Sequence, residues 1–257
     1  MTAPVFVTDP GLLTGYDHGD LFLLHGAEGR HAGVVQRRAV GEQIDVVDGA
    51  GVRLVGDIES VGPEGVQLRV RRRVEEPTTW PHLVLVQALA KGDRDEMAIE
   101  AATEVGVDTV IPWQAERSIV IWRGDRAAKS RARWLATVRA AAKQSRRAWV
   151  PQVEQAVDRK ALVARTEQVV AAGGAVLVLH EEAMLPLSAA RAELPAEGTE
   201  AEVLVVVGPE GGISDQETAA LVAAGARTVR LGPHVLRTST AGTVALSLLA
   251  AGLGRWD

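Results

Sequence analysis

The stretch VLVVVGPEGGISDQE, residues 203–217, gives the clearest indication of the fold of the chain. Its first five residues form a continuous apolar run, which is typical of a strand buried on both faces of a parallel sheet. A glycine-rich turn at 208–212 follows, and the S-x-x-E pattern from Ser214 to Glu217 predicts the start of a helix. Strand, glycine turn and helix start together predict a concave site lined by backbone N–H groups.

A second stretch, LGPHVLRTSTA at 231–241, repeats this arrangement. It follows a short predicted strand, Gly232-Pro233 breaks that strand, and Thr238 or Ser239 can cap a long C-terminal helix. Because parallel strands end at one edge of a sheet, both loops are expected at the edge where open α/β sheets bind ligands. The patterns do not identify a ligand, since the glycine turn matches neither the phosphate-loop nor the dinucleotide fingerprint. A turn that binds nothing fits the spacing equally well.

Composition narrows the class of protein. The 257 residues suffice for one large domain or two smaller ones, and the absence of cysteine excludes disulfides and thiolate chemistry. The six histidines lack metal-site spacing, so no metal is predicted. No secretory leader and no run of ~20 apolar residues is present, which predicts a cytoplasmic protein without membrane contact. The net charge of −5 weighs mildly against RNA binding, although local clusters of arginine matter more than the total.

The pattern of elements changes near residues 75–79, which form the predicted linker. Before it, short antiparallel strands, a helix at 29–40 and a hairpin turn at 48–51 predict a small β-barrel. After it, strands alternate with helices, which predicts an α/β fold with a mainly parallel sheet. The strands are expected at 83–89, 109–111, 176–179, 203–207 and 228–231, and the helices at 93–105, 126–147, 157–172 and 240–253.

The motifs resemble one known family. GPEGGIS-x-x-E followed by LG-x-x-VLRT-x-TA is similar to the last two motifs of the SPOUT class of RNA methyltransferases. More narrowly, it resembles the family that methylates uridine N3 in small-subunit (16S) ribosomal RNA. The segments KGDR at 91–94, ATEVGVDTVIPW at 102–113, ERSIV at 116–120 and KQSRR at 143–147 match in order, over most of the chain. Ser239 stands where the family usually has an acidic residue, and His234 where a basic one is common.

The resemblance implies a PUA-like, RNA-binding β-barrel at 1–74 and a SPOUT-type methyltransferase domain with a trefoil knot at 75–257. It also implies S-adenosylmethionine as cofactor, ribosomal RNA within the small subunit as partner, and a homodimer formed through the last helix. Two alternatives remain open. The chain would act on another RNA or on a ribose 2′-hydroxyl, or it would be a non-catalytic RNA-binding module.

The cofactor is expected in three loops at the carboxyl edge of the sheet, where backbone groups read the adenine and apolar side chains sandwich it. Glu210 has little packing value in a glycine turn, so we expect it to bind the ribose or to fix the loop. Gly211→Val is expected to abolish cofactor binding. The predicted cofactor-binding residues are Leu179, His180, Glu181, Gly208, Pro209, Glu210, Gly211, Gly212, Leu231, Gly232, Val235, Leu236, Thr238, Thr240 and Ala241.

Arg237 is the predicted catalytic residue. A cation before a helix N-terminus is unfavourable with the helix dipole, which indicates another role. Uracil N3 must lose its proton to become nucleophilic, and an arginine can stabilise the charge that develops on O2 and O4. The alternative for Arg237 is an ion pair with a neighbouring carboxylate. Either His180 or His234 could be the base, and neither is assigned.

Three clusters are predicted to bind RNA phosphates. The first lies on one face of a strand, the second in the loop before a helix, and the third at a helix C-terminus. A solvated edge strand and the helix dipole are the respective alternatives for the first and third. The predicted RNA-binding residues are Arg69, Arg71 and Arg73; Lys91 and Arg94; and Lys143, Gln144, Arg146 and Arg147.

Overall fold

We describe a computed structural model of the chain over residues 3–256. The chain divides into two compact units. Unit 1 contains the described chain up to Thr78 together with Ala142–Val150, and unit 2 contains Thr79–Ala141 and the chain from Pro151. The predicted linker at 75–79 lies at the first division, but no sequence pattern indicated that 142–150 belongs to unit 1.

Unit 1 is built on a five-stranded sheet in the order β1-β3-β4-β5-β2. All neighbouring strands are antiparallel except β1 and β3, which pair in parallel. Alternate residues of the strands point into one apolar core, which contains Phe6, Leu54 and Leu68. The hairpin turn is formed by Asp48, whose carboxylate accepts hydrogen bonds from the N–H groups of Ala50 and Val52. The strands are β1 (Val5–Val7), β2 (Leu21–His25), β3 (Gln43–Val47), β4 (Val52–Gly62) and β5 (Gly65–Glu75).

The predicted helix at 29–40 takes a different form. Helix α1 covers Gly26–Arg30, and a π-helical turn, His31–Val35, continues it. The Gln36 N–H donates to the His31 carbonyl at 2.8 Å, five residues back instead of four. This wider turn rotates the following side chains. Ala32 is buried, whereas Val35 is 64% exposed, so the two side chains do not share one face as they would on the regular helix predicted for 29–40.

Unit 2 contains a six-stranded sheet in the order β11-β9-β10-β6-β7-β8, and every neighbouring pair is parallel. The predicted α/β class with a parallel sheet is therefore confirmed. The strands are β6 (His82–Ala88), β7 (Thr109–Trp113), β8 (Gln152–Val153), β9 (Ala175–Leu179), β10 (Glu202–Val207) and β11 (Arg227–Val229). The helices are α2 (Arg94–Glu104), α3 (Asp125–Gln144), α4 (Arg159–Ala171), α5 (Leu187–Ala190), α6 (Asp215–Ala223) and α7 (Thr238–Gly252).

Strands β10 and β6 lie in the middle of this sheet, which explains their continuous apolar sequences. The capping box before α6 is present as predicted, with the Ser214 side chain accepting from the Glu217 N–H. After α7, Arg255 pairs with Asp108, whose carboxylate also accepts from the Leu83 N–H. No helix in the described part of the chain is long and apolar enough to span a bilayer. Because the strands of this sheet are all parallel, the loops after β9, β10 and β11 lie at the same edge.

Candidate functional site

The loops after β9, β10 and β11 surround a cavity of about 540 Å³ at the carboxyl edge of the unit 2 sheet. Pockets that hold small molecules and cofactors commonly measure ~300–1,000 Å³. The predicted cofactor residues that line it are Leu179, His180, Glu181, Gly208, Pro209, Glu210, Gly212, Leu231, Gly232, Val235, Leu236, Thr238 and Ala241. The catalytic candidate Arg237 lines the same cavity, as does Arg94, which was predicted to bind RNA. The structure therefore brings the three predicted loops together.

Two predicted residues, Gly211 and Thr240, do not line this cavity. A Cβ atom added to Gly211 would lie 3.2 Å from the Arg117 Cβ, and Arg117 Nη1 donates to the Gly211 carbonyl at 3.1 Å. A side chain at Gly211 would thus point towards Arg117, because successive residues of the turn point in different directions. Gly208 does line the cavity, and a Cβ atom there would lie 2.7 Å from Ile213 Cγ1. Gly208 is therefore the better position at which to test the loop.

A buried hydrogen-bond chain joins the middle of the sheet to two of these loops. Gln87 Nε2 donates to the Ala88 carbonyl and, at 2.9 Å, to Thr238 Oγ1. Because the Thr238 hydroxyl accepts from Gln87, its single proton is available for the Gly208 carbonyl, 2.7 Å away. These hydrogen bonds hold the start of α7 against the glycine turn. Gln87 was not among the predicted site residues, although a polar residue within the apolar run LVLVQALA indicates a buried hydrogen-bonding role.

Glu210 binds the loop that precedes α2. Its Oε1 accepts from Arg94 Nη1 at 2.7 Å and from the Lys91 N–H at 3.1 Å. Partial burial alone would raise the pKa of Glu210, but hydrogen bonds from its own N–H, from Arg94 and from Lys91 outweigh burial and lower the pKa. Glu210 is therefore an ionised acceptor at the cavity wall, and it is unsuited to act as a base near neutral pH.

Arg237 lies at the N-cap of α7, with an exposed side chain on the cavity wall. Within residues 3–256, its guanidinium makes no ion pair, so the alternative of a pairing carboxylate is not found. His234 and Arg230 also line the cavity, and the sequence did not indicate them as cofactor residues. An unpaired cation beside a cavity can stabilise negative charge on a molecule bound there.

Asp95, next to Arg94 in the first turn of α2, is only 2% exposed. Burial raises its pKa from an ordinary 3.8 to about 6, with Glu96 adding repulsion and backbone hydrogen bonds and Arg133 opposing the rise. A raised carboxyl pKa means that ionisation destabilises the folded state. The free energy of unfolding begins to fall as the pH rises past the unfolded-state pKa near 3.8, and the fall is complete above the folded-state pKa of about 6.

Asp95→Asn is therefore expected to stabilise the protein relative to wild type increasingly as the pH rises. The difference in free energy of unfolding between variant and wild type should grow by about 2 kcal/mol from pH ~4.5 to ~7.5, because asparagine does not ionise. Asparagine also keeps an oxygen that accepts from the Glu96 N–H. Urea unfolding of both proteins at the two pH values measures it. A difference between them that is independent of pH would show that Asp95 titrates normally.

The arginines predicted to bind RNA on β5 are in ion pairs within unit 1. Arg69 pairs with Glu59, Arg71 with Asp57 and Arg73 with Glu75. The hydrogen bonds from Arg69 hold the pKa of Glu59 below its ordinary value. The three partners neutralise the basic face that the sequence pattern had indicated.

The 143–147 cluster is divided between the interior and the surface of unit 1. Lys143 Nζ lies 2.7 Å from Glu28 Oε2 and 4.7 Å from the centre of the Phe6 ring, so it is held inside the unit. Gln144 and Arg146 are exposed, and Arg147 is half-buried. Arg146 has a left-handed φ of 62°, and its carbonyl accepts from Arg53 Nη2. The geometry thus gives Lys143 a packing role and leaves Gln144 and Arg146 accessible.

No group of three or more histidine, aspartate or glutamate side chains in the described 3–256 range is arranged to hold a metal ion. The cavity wall combines apolar side chains, backbone groups, the carboxylates of Glu181 and Glu210, and unpaired cations. Such a wall suits an organic ligand with an apolar ring and polar substituents.

Comparisons with known proteins place the chain among RNA-modifying enzymes. The family model for the RNA methyltransferase domain matches residues 78–250. Ribosomal RNA small subunit methyltransferase E of Mycobacterium tuberculosis is 45% identical over 260 residues, which cover 100% of this chain and 95% of that protein. The protein of the same name from Bacillus subtilis is 32% identical, and the match covers 89% of each chain.

Solved structures agree with these matches. The crystal structure of ribosomal RNA small subunit methyltransferase E from Neisseria gonorrhoeae, bound to S-adenosylmethionine, has a TM-score of 0.82 and 26% identity, and covers 97% of this chain and 98% of that one. A structure from Legionella pneumophila with the same bound cofactor has a TM-score of 0.79 and 29% identity, and covers 98% of both chains.

Proposed function

The chain belongs to the ribosomal RNA small subunit methyltransferase E family, and from this premise we propose that it methylates N3 of a uridine in small-subunit (16S) ribosomal RNA. It is an S-adenosylmethionine-dependent ribosomal RNA methyltransferase. The position of the methyl group on the base is our proposal. The observation that carries it is the unpaired Arg237 guanidinium on the wall of the cavity formed by the three loops.

The residues of the cavity fit S-adenosylmethionine. Leu231, Val235 and Leu236 provide apolar surface for an adenine ring, and the peptide groups of the three loops provide donors and acceptors for its edge. The ionised Glu210 is placed to accept from ribose hydroxyls or to hold the loop through Arg94. When bound, the cofactor supplies a methyl carbon made electrophilic by its sulfonium.

Arg237 would act on the base. When N3 loses its proton, negative charge spreads onto O2 and O4 of the uracil, and a guanidinium donor directed at either oxygen stabilises that charge. The new nitrogen–carbon bond then forms while the sulfur–methyl bond breaks, and the electron pair of that bond stays on sulfur. We assign no residue as the base, since Glu210 is too acidic and His180 and His234 show no geometry that separates them.

We also propose the finer features of the fold. After β11, at the edge of the sheet, the chain returns to its middle, where Thr238 bonds to Gln87 and Gly242 packs closely on Leu85. This return supports a trefoil knot of the SPOUT type for 75–257. The five strands of unit 1, packed on the apolar core that contains Phe6, Leu54 and Leu68, support a PUA-like barrel for 1–74.

A homodimer through α7 is a further proposal. Val244 and Leu248 are exposed on that helix, whereas Leu246 and Leu249 are buried. Leu248 also lines a second cavity of about 290 Å³ beside Pro186 and Leu187. A second copy of the chain could cover this surface. A light-scattering mass near 27.2 kDa at micromolar concentration would contradict the dimer.

The substrate is tested by methyl transfer from labelled S-adenosylmethionine to small ribosomal subunits, large subunits and transfer RNA from cells lacking the enzyme. We expect label in the small-subunit RNA alone. Label in transfer RNA would favour another RNA as substrate. Cofactor binding without transfer to any of them would favour a non-catalytic RNA-binding module.

A further inference from the structure

The exposed cations of unit 1 divide into paired and unpaired groups. On β5, Arg69, Arg71 and Arg73 are each paired with a carboxylate. A phosphate that displaced one of these carboxylates would gain little, because an existing ion pair would be lost as the new one formed. An RNA surface on unit 1 therefore has to use exposed cations without an ion pair in the described chain, which include Arg30, Arg37 and, on β5 itself, Arg72.

We propose that unit 1 binds RNA through segment 30–40, RHAGVVQRRAV, and not through the paired arginines Arg69, Arg71 and Arg73 of β5. This inference rests on the proposed function, since it takes ribosomal RNA as the partner. The segment contains the π-helical turn His31–Val35, and Arg37 follows that turn with a left-handed φ of 52°. A π-turn and a left-handed residue other than glycine both cost free energy, and they concentrate at functional sites.

One side of the segment is fixed to the sheet of unit 1. A Cβ atom at Gly29, just before the segment, would lie 2.2 Å from the Leu24 carbonyl oxygen, so the backbone packs directly on β2. Ala32 is completely buried, and Gln36 Nε2 and the His31 ring are hydrogen-bonded at 3.0 Å. The close packing and the internal bonds indicate a surface that is formed before any partner binds.

The other side of the segment is exposed, apolar and basic. Val34, Val35 and Val40 are 64%, 64% and 65% exposed. Arg30 and Arg37 are also exposed, and within the described chain neither side chain makes an ion pair. By contrast, the neighbouring Arg38 is bound to Gln36 and Glu42. Two unpaired guanidinium groups therefore flank exposed valines.

RNA fits this surface by its chemistry. Guanidinium groups bind phosphates and stack on bases, while apolar side chains contact the faces of unpaired bases or riboses. The strained backbone at Arg37 is understandable if it directs that cation outward, towards a strand bound over the valines. An acidic protein partner would need the same cations, and it is one outcome of the test.

The test compares two double variants with equal loss of charge, Arg30→Ala/Arg37→Gly and Arg69→Ala/Arg71→Ala. Binding of the full-length protein to small ribosomal subunits, and its KM and kcat, are measured at several salt concentrations. Each lost phosphate contact lowers the slope of log affinity against log salt by about 1. For the segment variant we expect the slope of log affinity against log salt to fall by about 2. We also expect its KM to rise about 10-fold or more while kcat stays unchanged. The β5 variant should change little in any of these quantities.

Glycine at position 37 separates binding from folding. Because glycine accepts a left-handed φ without strain, Arg37→Gly should not lower the melting temperature, so a loss of affinity could not be attributed to unfolding. An unchanged salt slope in the segment variant, or an equal loss in the β5 variant, would overturn the inference. Normal RNA binding by the segment variant would also overturn it, and would leave an acidic protein as the partner of these cations. If wild-type protein methylates no small subunits, the proposed function fails instead.

Discussion

Arg237→Ala is expected to lower the single-turnover rate of methyl transfer by about 100- to 1,000-fold at saturating RNA and cofactor. The guanidinium lies on the cavity wall without an ion pair in the described chain, so its charge is available to a bound base. The uracil is neutral before reaction, and a donor directed at O2 or O4 gains most of its value as N3 gives up its proton. The loss should therefore fall on the chemical step.

The affinity for S-adenosylmethionine, measured by calorimetry, should change little in Arg237→Ala. Arg227→Ala is a matched control, since Arg227 pairs with Glu193 and does not line the cavity. We expect that control to react at the wild-type rate. A wild-type rate for Arg237→Ala, or a loss confined to cofactor affinity, would show that the catalytic role is wrong.

Gly208→Val is expected to weaken S-adenosylmethionine binding by about 10- to 100-fold. Its Cβ atom would lie 2.7 Å from Ile213 Cγ1, so either the turn or Ile213 must move, and both line the cavity. The Gly208 carbonyl also accepts a hydrogen bond from the Thr238 hydroxyl, so a shift of the turn disturbs the start of α7. Calorimetry in the presence of a chelator measures the affinity and tests whether binding needs a metal.

Gly211→Val is the natural comparison, because it adds the same side chain to the same turn. Its Cβ atom would meet Arg117 at 3.2 Å, outside the cavity, and we expect a smaller loss than for Gly208→Val. Circular dichroism should remain close to that of the wild type in both variants. If Gly211→Val had the larger effect, the cofactor would contact a different face of the turn from the one that the cavity indicates.

Local patterns in the sequence predicted the elements that form the cavity. The run at 203–207 and the pair Ser214 and Glu217 indicated a buried strand and a capped helix, and the structure contains both. These predictions succeeded because apolar periodicity and capping act over a few residues. The same holds for the stretch at 231–241, whose loop lines the cavity as expected.

Features that depend on partners distant in sequence were not predictable. The alternation of β5 indicated a basic face, but it could not show that Glu59 and Asp57 on β4 lie within reach of Arg69 and Arg71. Lys143 met the pattern of a helix end that binds phosphate, yet Glu28 holds it. In both cases the sequence shows the charged residue, whereas its partner is determined by strand pairing and by the tertiary fold.

The atom that the protein methylates is identified from the modified nucleoside. Small subunits lacking the modification are incubated with the protein and labelled S-adenosylmethionine, and the RNA is digested and separated by mass spectrometry against standards. We expect label in 3-methyluridine, and we expect Arg237→Ala to slow the appearance of that label. Label in a 2′-O-methyl nucleoside, or in a base methylated at any other atom, would show that N3 of uridine is not the target.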